Sequence, residues 1–295
     1  MESIYNNVIF LGGSELIRNC IKKFFEKDRC GINVTFLDVE DGDLIKKQRL
    51  CEQYNIEYRA VKRKPLTEYL VQVQEPSLVF SIMNNYILPG EVVANNYLHI
   101  INLHHSSLPG HRGMNAGAWS IFYGEEHSGI TWHAVAEEVD KGKIIRVTNI
   151  PLTDDMTAIK LLKLQNAAAV KDFEELTEDF LEGKEELYEQ PEGTDYLHKF
   201  RDIPAGGFLD LSWDGKKTSR FLRAMDFGIL NVFGKPRLKL DGTIYQWKKY
   251  IIEKTDDSDA MEDSVKVNQQ DGKTSIEIHK ADGYIIRLIK AKAVV

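Results

Sequence analysis

The chain has 295 residues, with 45 acidic against 38 basic side chains and a formal net charge of −7. This length suits one larger and one smaller domain, and a hydrophobic share of 43% provides for a sizeable core. The acidic balance argues against a large nucleic-acid surface, and no apolar run approaches the roughly 18 residues of a membrane span. With that charge, we expect the partner to be a small molecule. The amino terminus lacks the basic start and cleavage pattern of a signal peptide, so we expect a cytoplasmic location.

The first half of the chain alternates strand and helix patterns. Apolar, β-rich runs predict strands at residues 8–13, 32–39, 77–82, 99–105, 129–137 and 143–152. Ser14 precedes apolar residues at helical spacing, and Thr153, Asp154 and Asp155 precede a long amphipathic pattern that ends near residue 181, so both places predict helix starts. This order predicts an α/β fold, with a Rossmann-like domain and a mostly parallel sheet over residues 1–185.

The second half begins with a polar stretch rich in Glu, Pro and Gly, which predicts a linker over residues 186–205. A short helix is expected at 218–227, and alternating runs then predict a small, mainly antiparallel β domain over 206–295. Asp241-Gly242 and Asp271-Gly272 are typical hairpin turns, and the acidic segment 253–264 is expected to be a loop. The sequence leaves open a homodimer formed through this domain.

Gly12 and Gly13 follow the first predicted strand, where a dinucleotide-binding turn would lie. The segment GGSELI lacks the third glycine of the G-x-G-x-x-G pattern. A tight turn from strand to helix is therefore the preferred interpretation.

The segment INLHHSSLPGHRG, residues 101–113, carries the most informative pattern. Asn102 and His104 are one residue apart, so on a strand both side chains point to the same face. They lie at the expected carboxyl end of that strand, the edge at which open α/β sheets bind ligands. An amide beside an imidazole suits the stabilisation of a developing oxyanion. Pro109 and Gly113 are expected to fix the turn that follows.

This segment resembles the N-x-H-x-S-L-L-P-x-x-x-G signature of the folate-dependent formyltransferases. The matching residues are Asn102, His104, Ser106, Leu108, Pro109 and Gly113. Ser107 stands where a leucine is usual, which is a modest departure in packing. The segment GITWHAVAEEVDKGKII, residues 129–145, resembles the second signature of the family, in which a histidine is followed seven residues later by an aspartate, here His133 and Asp140.

The resemblance covers roughly residues 5–180. The C-terminal region is similar, more weakly, to the small domain attached to methionyl-tRNA formyltransferase and its relatives. What the resemblance implies is an enzyme with N10-formyltetrahydrofolate as co-substrate and an amine as acceptor. Its implied catalytic residues are Asn102, His104 and Asp140, supported by Ser106, Gly113 and His133. The implied folate-binding loops are Tyr86, Ile87, Leu88 and Pro89, and Glu137, Glu138, Val139 and Asp140.

Formyl transfer needs an oxyanion stabiliser, an acceptor for the proton of the attacking amine, and a proton for the departing N10 nitrogen. The resemblance and this chemistry together give Asn102 and His104 the donor roles toward the formyl oxygen. Asp140 is expected to hold the imidazole tautomer and to pass protons. The sequence alone leaves open whether His104 or Asp140 is the formal base.

Other interpretations of these residues are structural. The histidines near the signature do not form a metal-ligand pattern with carboxylates or thiols, so no metal is expected. His105 faces away from His104 and is expected to be structural, whereas Trp119 and Trp132 are expected in the core. Cys20, Cys30 and Cys51 are odd in number, so we expect free thiols.

Four acceptors compete: a nucleotide-linked amino sugar, an amino acid or peptide-synthesis intermediate, methionyl-tRNA, and water. A tRNA substrate is disfavoured because the C-terminal region lacks a basic face. Water as acceptor would make the protein a 10-formyltetrahydrofolate hydrolase. A folate-binding module without catalysis is a further alternative, and the intact Asn102, His104 and Asp140 argue against it. The expected acceptor is a small-molecule amine.

Overall fold

The computed structural model describes residues 3–40, 42–193, 196–255, 262–270 and 272–294. The chain forms two compact units, each assembled from separate stretches of sequence. The first unit comprises Met1–Gly113, Gly129–Ile150 and Leu164–Leu197. The second comprises Met114–Ser128, Pro151–Lys163 and His198–Val295. The domain limits 1–185, 186–205 and 206–295 stay a prediction.

Strands and helices alternate along the first half of the chain, and strands predominate in the second. The strands are β1 Asn7–Gly12, β2 Asn33–Asp38, β3 Glu57–Ala60, β4 Ser77–Ile82, β5 Leu98–His104, β6 Arg112–Gly113, β7 His127–Ala134, β8 Ile144–Pro151, β9 Leu197–His198, β10 Phe208–Leu209, β11 Arg237–Leu240, β12 Thr243–Gln246, β13 Lys249–Lys254, β14 Ser264–Gln270, β15 Lys273–His279 and β16 Tyr284–Val294. The helices are α1 Glu15–Phe24, α2 Leu44–Tyr54, α3 Arg63–Val71, α4 Gly90–Val93, α5 Ala116–Tyr123, α6 Ala158–Glu182 and α7 Gly215–Ala224. Within the described ranges, none of these helices is both long and apolar enough to cross a membrane.

The sheet of the first unit has the strand order β3-β2-β1-β4-β5-β7-β8. The pairs from β3 through β5 are parallel, and β7 joins β5 antiparallel. The predicted α/β class with a mostly parallel sheet is therefore confirmed. The pattern of apolar runs did not indicate β3, because this short edge strand is largely exposed and contains two charged residues, Glu57 and Arg59, among its four.

Both faces of this sheet are covered, as a parallel sheet requires. On one face Phe10, Phe80 and Trp132 pack with Phe173 and Phe180 of α6. The opposite face holds a smaller apolar cluster, in which strand residues such as Ile100 pack near the α3 residues Leu66 and Leu70 and the α4 residue Val92. Ile100, Asn102 and His104 share a face of β5 because side chains alternate along a strand. The smaller cluster therefore ends where the polar site begins.

The turn between β1 and α1 needs glycine for steric reasons. A Cβ on Gly12 would lie 2.3 Å from the Ile82 carbonyl oxygen, and one on Gly13 would lie 2.4 Å from the Glu40 Cβ. The Ser14 side chain accepts a hydrogen bond from the Ile17 N–H, so the predicted helix start is confirmed. These contacts agree with a tight strand-to-helix turn.

The long helix begins later than the sequence pattern predicted. Asp154 and Asp155 form a turn, and α6 begins at Ala158, with the Thr157 hydroxyl accepting from the Lys160 N–H at 3.4 Å. The prediction that the helix starts directly after Thr153 to Asp155 was wrong. Several polar residues in a row each suit an N-cap, and sequence alone does not decide which of them faces the first free N–H groups.

The sheet of the second unit has the order β10-β11-β12-β16-β15-β14, with β13 also paired to β16. Its strand pairs are antiparallel except for β10 with β11, so the predicted β-rich C-terminal region is confirmed. Asp241 and Gly242 both have positive φ between the paired Leu240 and Thr243, which is the expected hairpin turn. Asp271 of the other predicted turn lies outside the described residues.

Two predicted elements in this region, a loop and a helix, had wrong boundaries. Glu253 and Lys254 belong to β13 rather than to a loop, and Ser264 already belongs to β14. The rest of the predicted loop falls largely on residues 256–261, outside the described ranges. The helix predicted at 218–227 begins earlier, at Gly215, because Asp214 caps it by accepting from the Lys217 N–H.

A buried ion pair between Lys47 and Asp38 lies at the carboxyl end of β2. Lys47 Nζ lies 2.8 Å from each carboxylate oxygen of Asp38, and Tyr58 donates to the same carboxylate at 2.6 Å. The side chains of Lys47 and Asp38 are 1% and 3% exposed. With so little water nearby, removal of one partner leaves the other charge without compensation.

Lys47→Ala is expected to lower the free energy of unfolding by about 3–5 kcal/mol, because Asp38 then stays buried without a counter-charge. Urea denaturation followed by circular dichroism measures this change. The neighbouring Lys46, whose side chain is 70% exposed, provides the control, and Lys46→Ala should change stability by less than about 0.5 kcal/mol. Equal effects of the two substitutions would contradict the structural role given to Lys47.

Candidate active site

The candidate site lies where β5 ends beside β7. In the antiparallel register Asn102 is opposite His133, and His104 is opposite Thr131. Direct cross-strand neighbours on one face have Cβ atoms about 4.5–5.5 Å apart, so this register brings two histidines and an amide together. The site residues predicted from two separate segments therefore meet through one strand pairing.

Asp140 completes the group from the turn after β7. Its Oδ2 lies 3.5 Å from His104 Nδ1, and its Oδ1 lies 3.5 Å from His133 Nε2. Asn102 Nδ2 lies 3.1 Å from the same His133 Nε2. The structure thus brings together Asn102, His104, His133 and Asp140, which we call the polar network.

Backbone carbonyls select the tautomers of both rings. His104 Nε2 lies 2.9 Å from the His111 carbonyl oxygen, and His133 Nδ1 lies 2.8 Å from that of Ala134. A carbonyl only accepts, so each of these ring nitrogens carries the proton. In the neutral rings, His104 Nδ1 then faces Asp140 with a lone pair, and His133 Nε2 accepts from the Asn102 amide. The His111 carbonyl, rather than Asp140 as expected from the sequence, therefore holds the tautomer of His104, and the neutral ring has no free N–H for the formyl oxygen.

Burial sets the charge of His104. Its side chain is 7% exposed, and this desolvation lowers the pKa of the imidazole below the ordinary 6.5, while Asp140 opposes the shift. The ring is therefore neutral at pH 7. A neutral imidazole with an unprotonated Nδ1 is able to accept a proton from a bound group.

Asp140 stays ionised in this environment. Burial alone would raise its pKa, but the His104 and His133 side chains and the Gly113 N–H outweigh burial and hold the pKa of Asp140 at about 2. The Gly113 N–H donates to Asp140 Oδ2 at 2.8 Å. Asp140 has a φ of 55°, a left-handed conformation that non-glycine residues adopt only when their surroundings impose it.

The turn after β5 is held by hydroxyl groups. Ser106 donates to the Gly110 carbonyl at 2.6 Å. The fully buried Thr131 donates to the Ser106 carbonyl at 2.7 Å and accepts from the Leu108 N–H at 3.0 Å. The Leu108-Pro109 peptide bond is cis, and Gly113 has a φ of 86°. These contacts fix the loop that carries the His111 carbonyl opposite His104.

The first predicted folate loop follows β4. Tyr86 and Leu88 pack against the smaller apolar cluster, whereas Ile87 is 68% exposed. The Tyr86 hydroxyl contacts that of Thr67, and Pro89 precedes the short helix α4.

The second predicted folate loop leads into Asp140. Glu137 and Glu138 are exposed, and the Val139 carbonyl accepts a 2.8 Å hydrogen bond from Arg112. Glu137 Oε1 lies 4.0 Å from the position of a Cβ on Gly90, so the second loop approaches the end of the first. The role of both loops in binding folate stays a prediction.

Sequence reasoning missed three residues that build the site. Thr131 anchors the turn after β5, Arg112 ties that turn to Val139, and Gln190 donates to the Asp140 carbonyl at 2.7 Å. Arg112 and Thr131 lie inside the two signatures, yet only their burial distinguishes them from surface residues. Gln190 lies in the polar stretch that predicted a linker, where no periodic pattern indicated a role.

The remaining predictions for nearby residues concern structure. His105 bonds to Asn166 at 3.0 Å, and burial lowers its pKa to about 4, in keeping with a structural histidine. Trp119 and Trp132 are buried as predicted, and the three cysteines are free. Among the residues that the structure describes, no group of three or more His, Cys, Asp and Glu side chains is arranged to hold a metal ion.

Known proteins resemble this chain in sequence over part of its length. Residues 45–174 match the family model described as Formyl transferase. GDP-perosamine N-formyltransferase from Brucella melitensis is 32% identical over 171 residues, which cover 58% of this chain and 64% of the relative. Methionyl-tRNA formyltransferase from Clostridioides difficile is 27% identical over 172 residues, with 55% of each chain covered. The chain thus spans just under two thirds of the first relative and about half of the second.

A solved structure matches nearly the full length. The N-formyltransferase from Helicobacter canadensis, in complex with folinic acid and dTDP-3-aminofucose, has a TM-score of 0.74 and 16% identity. The match covers 98% of this chain and 100% of that chain. At this identity the likeness shows the fold, including that of the C-terminal region.

Thr131→Val is expected to lower the free energy of unfolding by about 1–3 kcal/mol. The substitution keeps the shape of the side chain but leaves the Ser106 carbonyl and the Leu108 N–H without their buried partner. Urea denaturation measures the change, with the exposed Thr153→Val as control. An unchanged midpoint for Thr131→Val would show that this hydroxyl does not hold the turn.

Proposed function

We propose that the protein transfers the formyl group of N10-formyltetrahydrofolate to a primary amine on a nucleotide-linked sugar. The match of residues 45–174 to the formyl transferase family supports the reaction class. The observation that carries this proposal is the polar network. Asn102, His104 and Asp140 converge at the carboxyl end of β5, with the distances and protonation states that formyl transfer needs. The cytoplasmic location and a homodimer stay predictions.

The choice of acceptor rests on the relatives. The Brucella protein is named for an amino sugar linked to GDP, and the Helicobacter structure holds an amino sugar linked to dTDP. The net charge of −7 argues against the RNA acceptor of the Clostridioides relative, since RNA-binding faces are rich in Lys and Arg. An amino acid or a peptide-synthesis intermediate has no such support among these relatives.

The folate co-substrate is supported by the folinic acid in the Helicobacter complex. In this chain we assign the pterin to the space bordered by Tyr86 to Pro89 and Glu137 to Asp140. The second of these loops ends on the catalytic carboxylate, so binding of the co-substrate there would present its formyl group to the polar network.

In the proposed mechanism Asn102 acts on the formyl oxygen. One N–H of its amide is directed to His133 Nε2, and the other is available for a substrate oxygen. When the acceptor nitrogen attacks the formyl carbon, the new C–N bond forms and negative charge develops on that oxygen. A fixed amide donor stabilises this charge more strongly than it stabilises the ground-state carbonyl.

His104 takes the proton from the attacking amine. Its Nε2–H is held by the His111 carbonyl, which leaves Nδ1 as the only ring atom able to accept. The imidazolium that forms is stabilised by ionised Asp140 at 3.5 Å. The bond between the formyl carbon and N10 then breaks, and N10 receives a proton from this pair.

The test is an absorbance assay for conversion of N10-formyltetrahydrofolate to tetrahydrofolate. It is run with GDP- and dTDP-linked amino sugars, free amino acids, methionyl-tRNA and no acceptor. Turnover with an amino sugar nucleotide alone is the expected result. Turnover only with methionyl-tRNA would replace the proposal by a methionyl-tRNA formyltransferase, and equal turnover without any amine would replace it by a hydrolase. No turnover under any of these conditions would favour a folate-binding module without catalysis.

Asn102→Ala and His104→Ala are each expected to lower kcat by about 100-fold or more, which is the usual loss when an oxyanion donor or a proton-transfer group is removed. Steady-state kinetics with the best acceptor measures this loss, and circular dichroism checks that each variant is folded. The exposed His127, altered to Gln, serves as the control and should keep full kcat. Full activity in either alanine variant would exclude the assigned role.

The pH profile follows from the neutral state of His104. Because its pKa lies below 6.5, kcat at saturating acceptor is expected to be flat through pH 7 and to fall only below pH 6.5 as the base becomes protonated. The profile is measured in kcat because kcat/KM also reports ionisation of the free acceptor amine. Asp140→Asn removes an interaction that raises this pKa, so the acidic limb should move to still lower pH while kcat decreases. A limb above pH 6.5 in the wild type, or an upward shift in the variant, would contradict His104 as the base.

A further inference from the structure

We propose that Gln190 is a positioning residue, which holds the turn at Asp140 so that the carboxylate stays beside His104. This inference rests on the proposed function, because its consequence is a faster formyl transfer. It is carried by contacts between the turn at Asp140 and a segment about fifty residues further along the chain.

The side-chain amide of Gln190 bridges two carbonyls of one turn. Its Nε2 donates to the Asp140 oxygen at 2.7 Å and to the Gly142 oxygen at 2.8 Å. Both hydrogens of the amide nitrogen are thereby used. Two anchor points on one turn fix its orientation as well as its distance.

This arrangement of the amide leaves its oxygen without a hydrogen-bond partner among the described residues. That oxygen, Gln190 Oε1, is buried. Rotation of the amide would place this oxygen against two carbonyls, so only the observed orientation is allowed. Buried polar atoms are seldom left unpaired, and here the two donated bonds account for the exception.

The turn at Asp140 has a backbone conformation that requires contacts to hold it. Asp140 adopts a φ of 55°, and Gly142 passes so close to β7 that a Cβ would lie 1.6 Å from the Ala134 oxygen. An unfavourable backbone conformation persists only when its surroundings impose it. Without Gln190, the Asp140 carbonyl loses the contact that opposes relaxation of the turn.

Gln190 is itself held in place by its neighbours in residues 186–193, which we call the strap. Tyr188 and Ile144 exchange two backbone hydrogen bonds of 2.8 Å, which attach the strap to β8. Further along, a Cβ on Gly193 would lie 2.8 Å from Pro109 Cγ, so the strap also touches the turn after β5. The strap therefore contacts both segments that carry catalytic residues.

The expected consequence is a change at His104. The groups that face its ring are Asp140, His133 and His111, and of these only Asp140 raises its pKa through charge. If the turn relaxes, Asp140 moves away, the pKa of His104 falls and its imidazolium loses stabilisation. A displacement of about 1 Å near reacting groups costs on the order of 100-fold in rate.

The decisive variant is Gln190→Met, which keeps the length and volume of the side chain but removes both donors. The neighbouring Glu189→Gln is the matched control, because the Glu189 side chain is 79% exposed and forms an exposed ion pair with Lys143. We measure kcat and KM for each variant and the pKa of His104 by NMR titration of the free protein. The expected result for Gln190→Met is a loss of about 10- to 100-fold in kcat with little change in acceptor KM.

The NMR titration separates positioning from general destabilisation. In Gln190→Met the pKa of His104 should shift downward, in the direction of the Asp140→Asn variant, whereas a residue with a merely structural role would leave it unchanged. Because the titration needs no substrate, it also separates this inference from the proposed function. If the wild type is inactive on every amine but the His104 pKa is lowered in Gln190→Met, only the proposed function is contradicted. If Gln190→Met has an unchanged His104 pKa and full kcat, the positioning role is overturned.

Discussion

The antiparallel pairing of β5 with β7 is the constraint on which the site depends. All other described neighbours in the central part of this sheet run parallel, so their carboxyl ends meet at one edge. By reversing direction, β7 brings His133 opposite Asn102 and starts a turn that returns Asp140 to the same edge. A slip of one residue in this register would turn His133 and Thr131 to the other face of the sheet and would dismantle both the polar network and the anchored turn after β5.

Burial and charge then act in opposite directions on the two titrating partners. Desolvation favours the neutral form of both His104 and Asp140, but the hydrogen bonds and charges around Asp140 are strong enough to keep it ionised. At pH 7 the site therefore combines a neutral His104 imidazole, whose Nδ1 is unprotonated, with the ionised carboxylate of Asp140. Backbone carbonyls at His111 and Ala134 determine which ring nitrogen is free, so part of the chemistry is set by the main chain.

The sequence predicted those features that depend on local periodicity. Period-two alternation placed Asn102 and His104 on one face, and short apolar runs located most strands of the parallel sheet. Features that depend on long-range contacts were missed: Gln190 lies fifty residues from Asp140 and within a polar stretch, and Thr131 gains its role only through burial beside Ser106. The edge strand β3 lacks an apolar face, and the start of α6 depends on which of several polar side chains meets a free N–H. The residue roles came from the resemblance to a family, and the geometry supplies the physical reasons that these residues suit those roles.

Transfer of the formyl carbon itself tests the central claim most directly. N10-formyltetrahydrofolate labelled with carbon-13 in the formyl group is incubated with the protein and a GDP- or dTDP-linked amino sugar, and the products are followed by NMR and mass spectrometry. We predict that the label appears as an N-formyl group on the sugar nitrogen, and that His104→Ala slows the appearance of this signal by about 100-fold or more. Label released as free formate, or retained on the folate with every amino sugar, would contradict the proposed transfer.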